Sequence, residues 1–296
     1  MKILKVSCLS VLGFALGLGS VQADASSIKV VVNNTTTLSD EAYISNGATM
    51  VPLKTVQTLP GITITWDNKT KTVKMIRDGQ KITLKVGQKD ATIGSKKVTL
   101  PVASTLKNGR VMVPLRFISD SSGAYVSWNS KSQTAYVAKA SEELQKKYSS
   151  NNIAASRGAA IDLPQISNLK EFIPEGVENL NTNFYFPEGK FDSFFITEMD
   201  VISYYKINND RRELVWTARF NPNVEDHSGL FFLPYKIIEQ DGKMPSIQGR
   251  VAHFDFMAAI AEFRYEMIES NGQSTELGQK PVDPRNYFIE IPEERI

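Results

Sequence analysis

The chain has 296 residues, with 34 Lys and Arg against 32 Asp and Glu, two histidines and a single cysteine, Cys8. One cysteine excludes an internal disulfide framework and a multi-thiolate metal centre. The net charge of +2 hides a swing: residues 24–147 carry 18 basic and 9 acidic side chains, residues 148–296 carry 14 and 23. Two regions with different surfaces are expected, and the acidic sign of the second argues against nucleic acid as a partner.

At the start, Lys2 and Lys5 precede an apolar stretch from Val6 to about Ser20, followed by Val21-Gln22-Ala23. This pattern predicts a signal peptide over residues 1–23, cut after Ala23. The stretch is short and rich in glycine for a permanent span, and no later segment is apolar enough to be one. A secreted or envelope-associated protein with no transmembrane segment after cleavage is therefore expected.

Residues 46–54, Asn-Gly-Ala-Thr-Met-Val-Pro-Leu-Lys, return as residues 108–116, Asn-Gly-Arg-Val-Met-Val-Pro-Leu-Arg. The register continues from Gly61 to Gly123, Ile64 to Val126 and Trp66 to Trp128. One offset kept across so many turn and core positions predicts a duplicated unit, residues 28–76 and 77–138. In each copy Asn-Gly favours a tight hairpin turn. A short apolar strand follows, and the proline can open a helix because its missing N–H is no loss there. Pro114 to Ser122 reads as two helical turns stopped by Gly123, with Ala124 to Trp128 as the next strand. Asp78-Gly79 and Gly94-Ser95 predict further hairpins, with Lys81 to Val86 and Lys97 to Val102 as strands.

The string Ile93-Gly94-Ser95-Lys96-Lys97-Val98-Thr99-Leu100, with Asn108 to Ile118 and Gly123 to Trp128, resembles the copper amine oxidase N-terminal-like, or stalk, domain of exported Gram-positive proteins. The resemblance covers residues 28–138. It implies an accessory module for display, spacing or attachment, with no catalytic residues. In the first copy Thr55, Gln57 and Pro60 depart from the pattern, so its helix is expected to be shorter or distorted. Amine oxidases of this family resemble one another in three histidine copper ligands and a tyrosine-derived cofactor. With only His227 and His253, and Asn286-Tyr287-Phe288 matching the tyrosine motif in part, neither amine oxidase activity nor a cofactor is expected.

A linker is placed at residues 139–167, with a polar helix from Glu142 to Lys147. No family is recognised in residues 168–296, which are read as a small α+β domain. Strands are expected at Phe184–Phe186, Phe191–Ile196, Leu214–Phe220 and Phe231–Gln240. Phe256, Ile260, Phe263 and Met267 recur at helical spacing, which predicts a helix from about Ala252 to Glu269. The fold class expected for the whole chain is α+β, an antiparallel β module with short helices plus this second domain.

No catalytic site is expected. Asp226-His227-Ser228 holds triad residue types, but sequence neighbours do not converge as base, orienter and nucleophile. His253 and Asp255 would share a face only in extended chain, where with His227 they could face a metal; no metal site is expected. Glu225, Asp226, Glu293 and Glu294 are read as solvated surface charge, and Trp216 as buried. The candidate binding residues lie in the basic region: Lys85, Lys89, Lys96, Lys97, Lys107 and Arg110 for anionic cell-wall polymers, and Trp66 and Trp128 for glycan stacking. These define an exported, envelope-associated binding or display protein. The alternatives are an exported hydrolase with its site in the C-terminal domain, and a self-associating structural protein.

Overall fold

The computed structural model describes residues 28–37, 42–175, 181–257, 260–281, 288–292 and 294. The expected signal peptide, Glu293 and Asn286-Tyr287 lie outside the described residues.

The N-terminal module is made of three small sheets. Strands β3 (Tyr43–Ser45) and β4 (Ala48–Pro52) form a hairpin, and β4 leads into a 3-10 helix at Leu53–Thr58. β5 (Ile62–Asp67), β6 (Thr72–Arg77), β7 (Gln80–Lys85), β8 (Asp90–Ile93) and β9 (Lys96–Thr99) form an antiparallel sheet in sequence order. β10 (Thr105–Lys107) and β11 (Arg110–Pro114) make the next hairpin, followed by α1 (Leu115–Ser122) and the pair β12 (Tyr125–Asn129) and β13 (Thr134–Ala138). The hairpin turns need left-handed backbone, which Asn46 and Gly47 adopt at φ 46° and 75° and Asn108 and Gly109 at 50° and 75°. Gly123 ends α1 at φ 68°, its N–H donating to the Ser119 carbonyl. The helix after β4 is shorter than α1 and of the tighter 3-10 type. One expectation fails here. β1 (Lys29–Val32), which also pairs with β2 (Thr35–Thr37), lies parallel to β13, so the module is not wholly antiparallel.

The two Asn-Gly hairpins meet edge to edge. β4 pairs antiparallel with β11 so that Val51 faces Val113, while Met50 faces Pro114 and Pro52 faces Met112. Nearby, the hydroxyls of Tyr43 and Thr105, 62 residues apart, are 3.0 Å from each other. A single aliphatic core joins both halves of the module, holding Val51, Val56, Val73, Met75, Ile82, Leu84, Val113, Ile118 and Val137.

The segment expected as a linker, residues 139–167, is folded. They form α2 (Glu142–Tyr148), α3 (Ile153–Asp162) and β14 (Gln165–Ser167). The side chains of Ser141 and Asn152 cap the two helices by accepting N–H bonds from Leu144 and Ala155. β14 is the edge of a nine-stranded sheet whose order is β14-β18-β17-β16-β15-β20-β21-β22, with β19 also on β18. The ranges are β15 (Thr182–Pro187), β16 (Ser193–Glu198), β17 (Val201–Asn208), β18 (Arg211–Glu225), β19 (Tyr235–Gly242), β20 (Val251–Met257), β21 (Glu262–Ile268) and β22 (Ser274–Pro281).

The expected helix from Ala252 to Glu269 is instead the hairpin β20–β21. Its true period is two: Phe254, Phe263 and Met267 enter one aromatic core, while His253 and Asp255 point to the other side of the sheet. Ile260, the residue that completed the helical spacing, is 57% exposed at the turn. Trp216 is fully buried, as expected.

Candidate functional site

The binding residues expected from the sequence fall into two groups. On the five-stranded sheet, side chains alternate between the core and solvent. Val73, Met75, Ile82 and Leu84 point inward, leaving Lys74, Lys81, Thr83 and Lys85 exposed on the outer face. Cross-strand pairing sets one row running Thr65, Lys74, Thr83, Thr92, Lys97 from edge to edge. Lys85 and Lys97 therefore share the outer face with the exposed Ile76 and with Lys74 and Lys81, two lysines the sequence reading passed over. Strand alternation would have found them. Lys97 is paired with Asp90 at 2.9 Å. Lys96, one residue away, falls on the other side of its strand, and Lys89 sits in the preceding turn; both are exposed.

The second group gathers around a cavity of about 300 Å³ between the 3-10 helix, β5 and the β10–β11 hairpin. Trp66, Ile64, Leu106 and Val111 give it an apolar wall, with Lys54, Gln57 and Arg110 beside them. Trp66 is 40% exposed and Leu106 49% exposed, so the wall is open to solvent. Lys107 does not join it; its ammonium lies 4.2 Å from the ring centre of Tyr43. Trp128 differs from its counterpart, for it packs against the aliphatic core of the module.

The C-terminal candidates separate. Asp226, His227 and Ser228 lie in an exposed loop in which Asp226 accepts the Ser228 N–H at 2.9 Å. His253 is buried on β20, stacked on Tyr185 with ring centres 4.3 Å apart. Its ring nitrogens lie 2.7 Å from Glu266 and 2.9 Å from Asn183. The His253 hydrogen bond is the main cause that holds the Glu266 carboxyl below its ordinary value. Asp255 is extended beside His253 but takes Arg264 at 2.8 Å. The structure thus does not bring His227, His253 and Asp255 together, and no group of three metal-capable side chains occurs among the described residues. One reading is overturned outright. Glu294 is not solvated: it is buried against Arg157, which donates to both its carboxylate oxygens, one at 2.9 Å, while the Gly189 N–H adds a third bond at 2.6 Å.

Residues 30–137 match the family model described as the copper amine oxidase N-terminal domain. The N-terminal module belongs to that family. A primary amine oxidase of Klebsiella aerogenes is 38% identical over 74 residues, covering 25% of this chain and 10% of that protein. The chain thus spans about a tenth of that relative's length. Both histidines, His227 and His253, lie outside the copper amine oxidase N-terminal domain. All eight candidate residues, Lys85, Lys89, Lys96, Lys97, Lys107, Arg110, Trp66 and Trp128, lie within it.

Proposed function

We propose that the chain is an exported, envelope-associated, non-catalytic binding or display protein. Its copper amine oxidase N-terminal domain, built from two repeats at residues 28–76 and 77–138, holds anionic wall polymer and presents the region from residue 168 onward. The observation that carries this reading is the outer face of the five-stranded sheet, where Lys74, Lys81, Lys85 and Lys97 stand among threonines. A polyanion lying across such a face collects several weak, salt-sensitive attractions and needs no shaped pocket. The open wall at Trp66 offers an aromatic surface for a sugar ring, flanked by Lys54 and Arg110. Ion pairs between this domain and the C-terminal region use other lysines, Lys29 with Glu171 and Lys131 with Asp241. The antiparallel pairing of β4 with β11, which sets Val51 opposite Val113, supports duplication. The engagement of His253, Asp255 and Glu294 with protein partners favours binding over hydrolysis.

Co-sedimentation of the full chain with purified cell walls, repeated across a salt series, tests the proposal. With a Debye length of about 8 Å at physiological ionic strength, binding should fall steeply as salt rises. Replacing Lys74, Lys81, Lys85 and Lys97 together by Gln should remove most of it. Undiminished binding by that variant, or none by the parent at low salt, would refute the assignment. Export is tested by mass spectrometry of the secreted chain, which should begin at Asp24.

A further inference from the structure

A second site lies on the opposite half of the molecule, in a cavity of about 340 Å³ formed where α3 and β14 meet the nine-stranded sheet. Phe184 and Ile196 give it an apolar floor, and Gln165, Tyr205, Glu198 and Arg212 supply its polar groups. Arg212 is the unusual group, while Glu198 stands exposed at the rim. In the C-terminal region Arg157, Arg211, Arg219, Arg250 and Arg264 each have a carboxylate within ion-pair distance. Arg212 has none among the described residues. Its guanidinium rests 5.1 Å from the ring centre of Tyr205, and its Nε is buried with no hydrogen-bond partner. Glu198 likewise has neither an ion pair nor a side-chain hydrogen bond among the described residues. Asp162 is close enough for Arg212 to draw its carboxyl downward, against a larger upward push from burial, yet it forms no ion pair with Arg212. The Nε atoms of Arg211 and Arg250 are buried in the same way, so what sets Arg212 apart is that no carboxylate pairs with its guanidinium among the described residues. An incoming anion can take that place at its terminal nitrogens.

The spacing decides what kind of ligand can use both charges. Glu198 faces Val201 across the β16–β17 ladder, while the Arg212 guanidinium reaches back over Tyr205. Val201 and Tyr205 are four residues apart, roughly 13 Å along a strand. A separation of that order exceeds the length of one amino acid. An extended tripeptide spans roughly 10 Å, leaving a hydrogen-bond length at each end.

We propose that this cavity binds a short peptide with both ends free, its terminal carboxylate on Arg212, its terminal ammonium on Glu198 and its side chains against Phe184 and Ile196. This site is independent of the wall-binding face and stands or falls without it. Burial raises the Tyr205 hydroxyl above its ordinary value and keeps it neutral, and its proton is donated to Gln165 at 3.4 Å.

Calorimetric titration of the full chain with Ala-Ala-Ala, N-acetyl-Ala-Ala-Ala, Ala-Ala-Ala-amide and free alanine tests the assignment. The free tripeptide should bind most tightly. Blocking either end should cost about tenfold or more, the weight of one hydrogen bond to a charged group. Arg212→Gln should erase the preference for the free carboxylate, and Glu198→Gln, an exposed substitution, should erase the preference for the free amine. Thermal melts of each variant confirm that it is folded. Equal affinity for all four ligands, no binding by the parent chain, or either preference surviving its substitution overturns the proposal.

Discussion

In the copper amine oxidase N-terminal domain the core is aliphatic, with Val51, Val113, Ile118, Ile82 and Leu84 packed between short strands and Phe117 among them. Under the nine-stranded sheet it is aromatic: Phe186, Phe194, Phe254 and Phe288 crowd one side, Tyr185, Phe195, Trp216 and Phe232 the other. Aliphatic residues on short hairpins leave a local record, because each strand is bounded by a turn with its own chemistry. A broad sheet buried on both faces does not. Its strands read as near-continuous apolar runs, and its long-range pairings leave no local mark. The two regions also treat charge differently, since the first spreads lysines over water while the second sinks charged groups into the fold and pairs them.

The sharpest way to break that contrast is at Arg157 and Glu294. Removing one partner of a buried pair strands the other charge, at a cost of about 3–5 kcal/mol. Arg157 also donates to the Lys190 carbonyl and lies 4.9 Å from the ring centre of Phe186, so it loses packing too. Glu294→Gln should therefore give the largest loss of stability, read by denaturant unfolding. The double change Arg157→Met with Glu294→Leu should recover much of it. A single variant as stable as the parent would mean that the pair contributes nothing to the fold.

Ile118→Ala probes the aliphatic side. Ile118 is fully buried on α1, within a core that draws on both halves of the domain. Truncation at such a site costs about 3 kcal/mol from lost transfer energy and an unfilled cavity. Because each half alone buries too little, residues 28–90 expressed separately should fail to fold. Cooperative melting of that fragment would show that the halves are independent after all.

These sites also mark what the sequence could disclose. The Asn-Gly turns, α1 and the stop at Gly123 were legible because backbone chemistry dictates them locally. The hairpin β20–β21 was misread because Phe256, Ile260, Phe263 and Met267 imitate a helical face, although Phe254, Phe256, Phe263 and Met267 also fit an alternation of two. Of the candidate residues, Lys85 and Lys97 came out of strand register with Lys74 and Lys81, which a face-by-face reading would have included. Glu294 was unreadable, since its partner Arg157 lies 137 residues away and near the chain end a carboxylate is ordinarily solvated. The unpaired state of Arg212 could not be read either, because it depends on which carboxylates the fold leaves out of reach.

Glu266→Gln should have a smaller, pH-dependent effect. The Glu266 carboxyl is held below its ordinary 4.5, first of all by its hydrogen bond with His253. A depressed folded-state pKa contributes stability that is present above pH 4.5 and lost as pH falls through the lower folded value. The variant should therefore be less stable than the parent at pH 7, by about 1.5 kcal/mol. The gap should close on acidification below 4.5. A gap that stays constant into strong acid would show that the hydrogen bond to His253 does not carry the effect.

The smallest effect expected is at the contact between the two regions, and it measures how far they act as one. Lys131 meets Asp241 across this boundary, the two side chains 50% and 21% exposed. Asp241 also accepts the Lys170 N–H at 2.6 Å, and Lys131 is the first cause of its lowered carboxyl pKa. Beside them Asn129 donates to the Leu169 carbonyl at 2.7 Å, and Val31, Tyr136 and Ala138 pack on Ile166. Exposed ion pairs are worth about 0.2–1 kcal/mol once solvent screening and side-chain entropy are included. A double-mutant cycle with Lys131→Ala and Asp241→Asn should give a coupling in that range, shrinking as salt rises. The apolar patch around Ile166 then carries most of the contact, and Ile166→Ala should separate the melting of the two regions where Lys131→Ala does not. A coupling well above 1 kcal/mol would mean that the pair is desolvated in solution and that the regions are clamped by charge instead of packing.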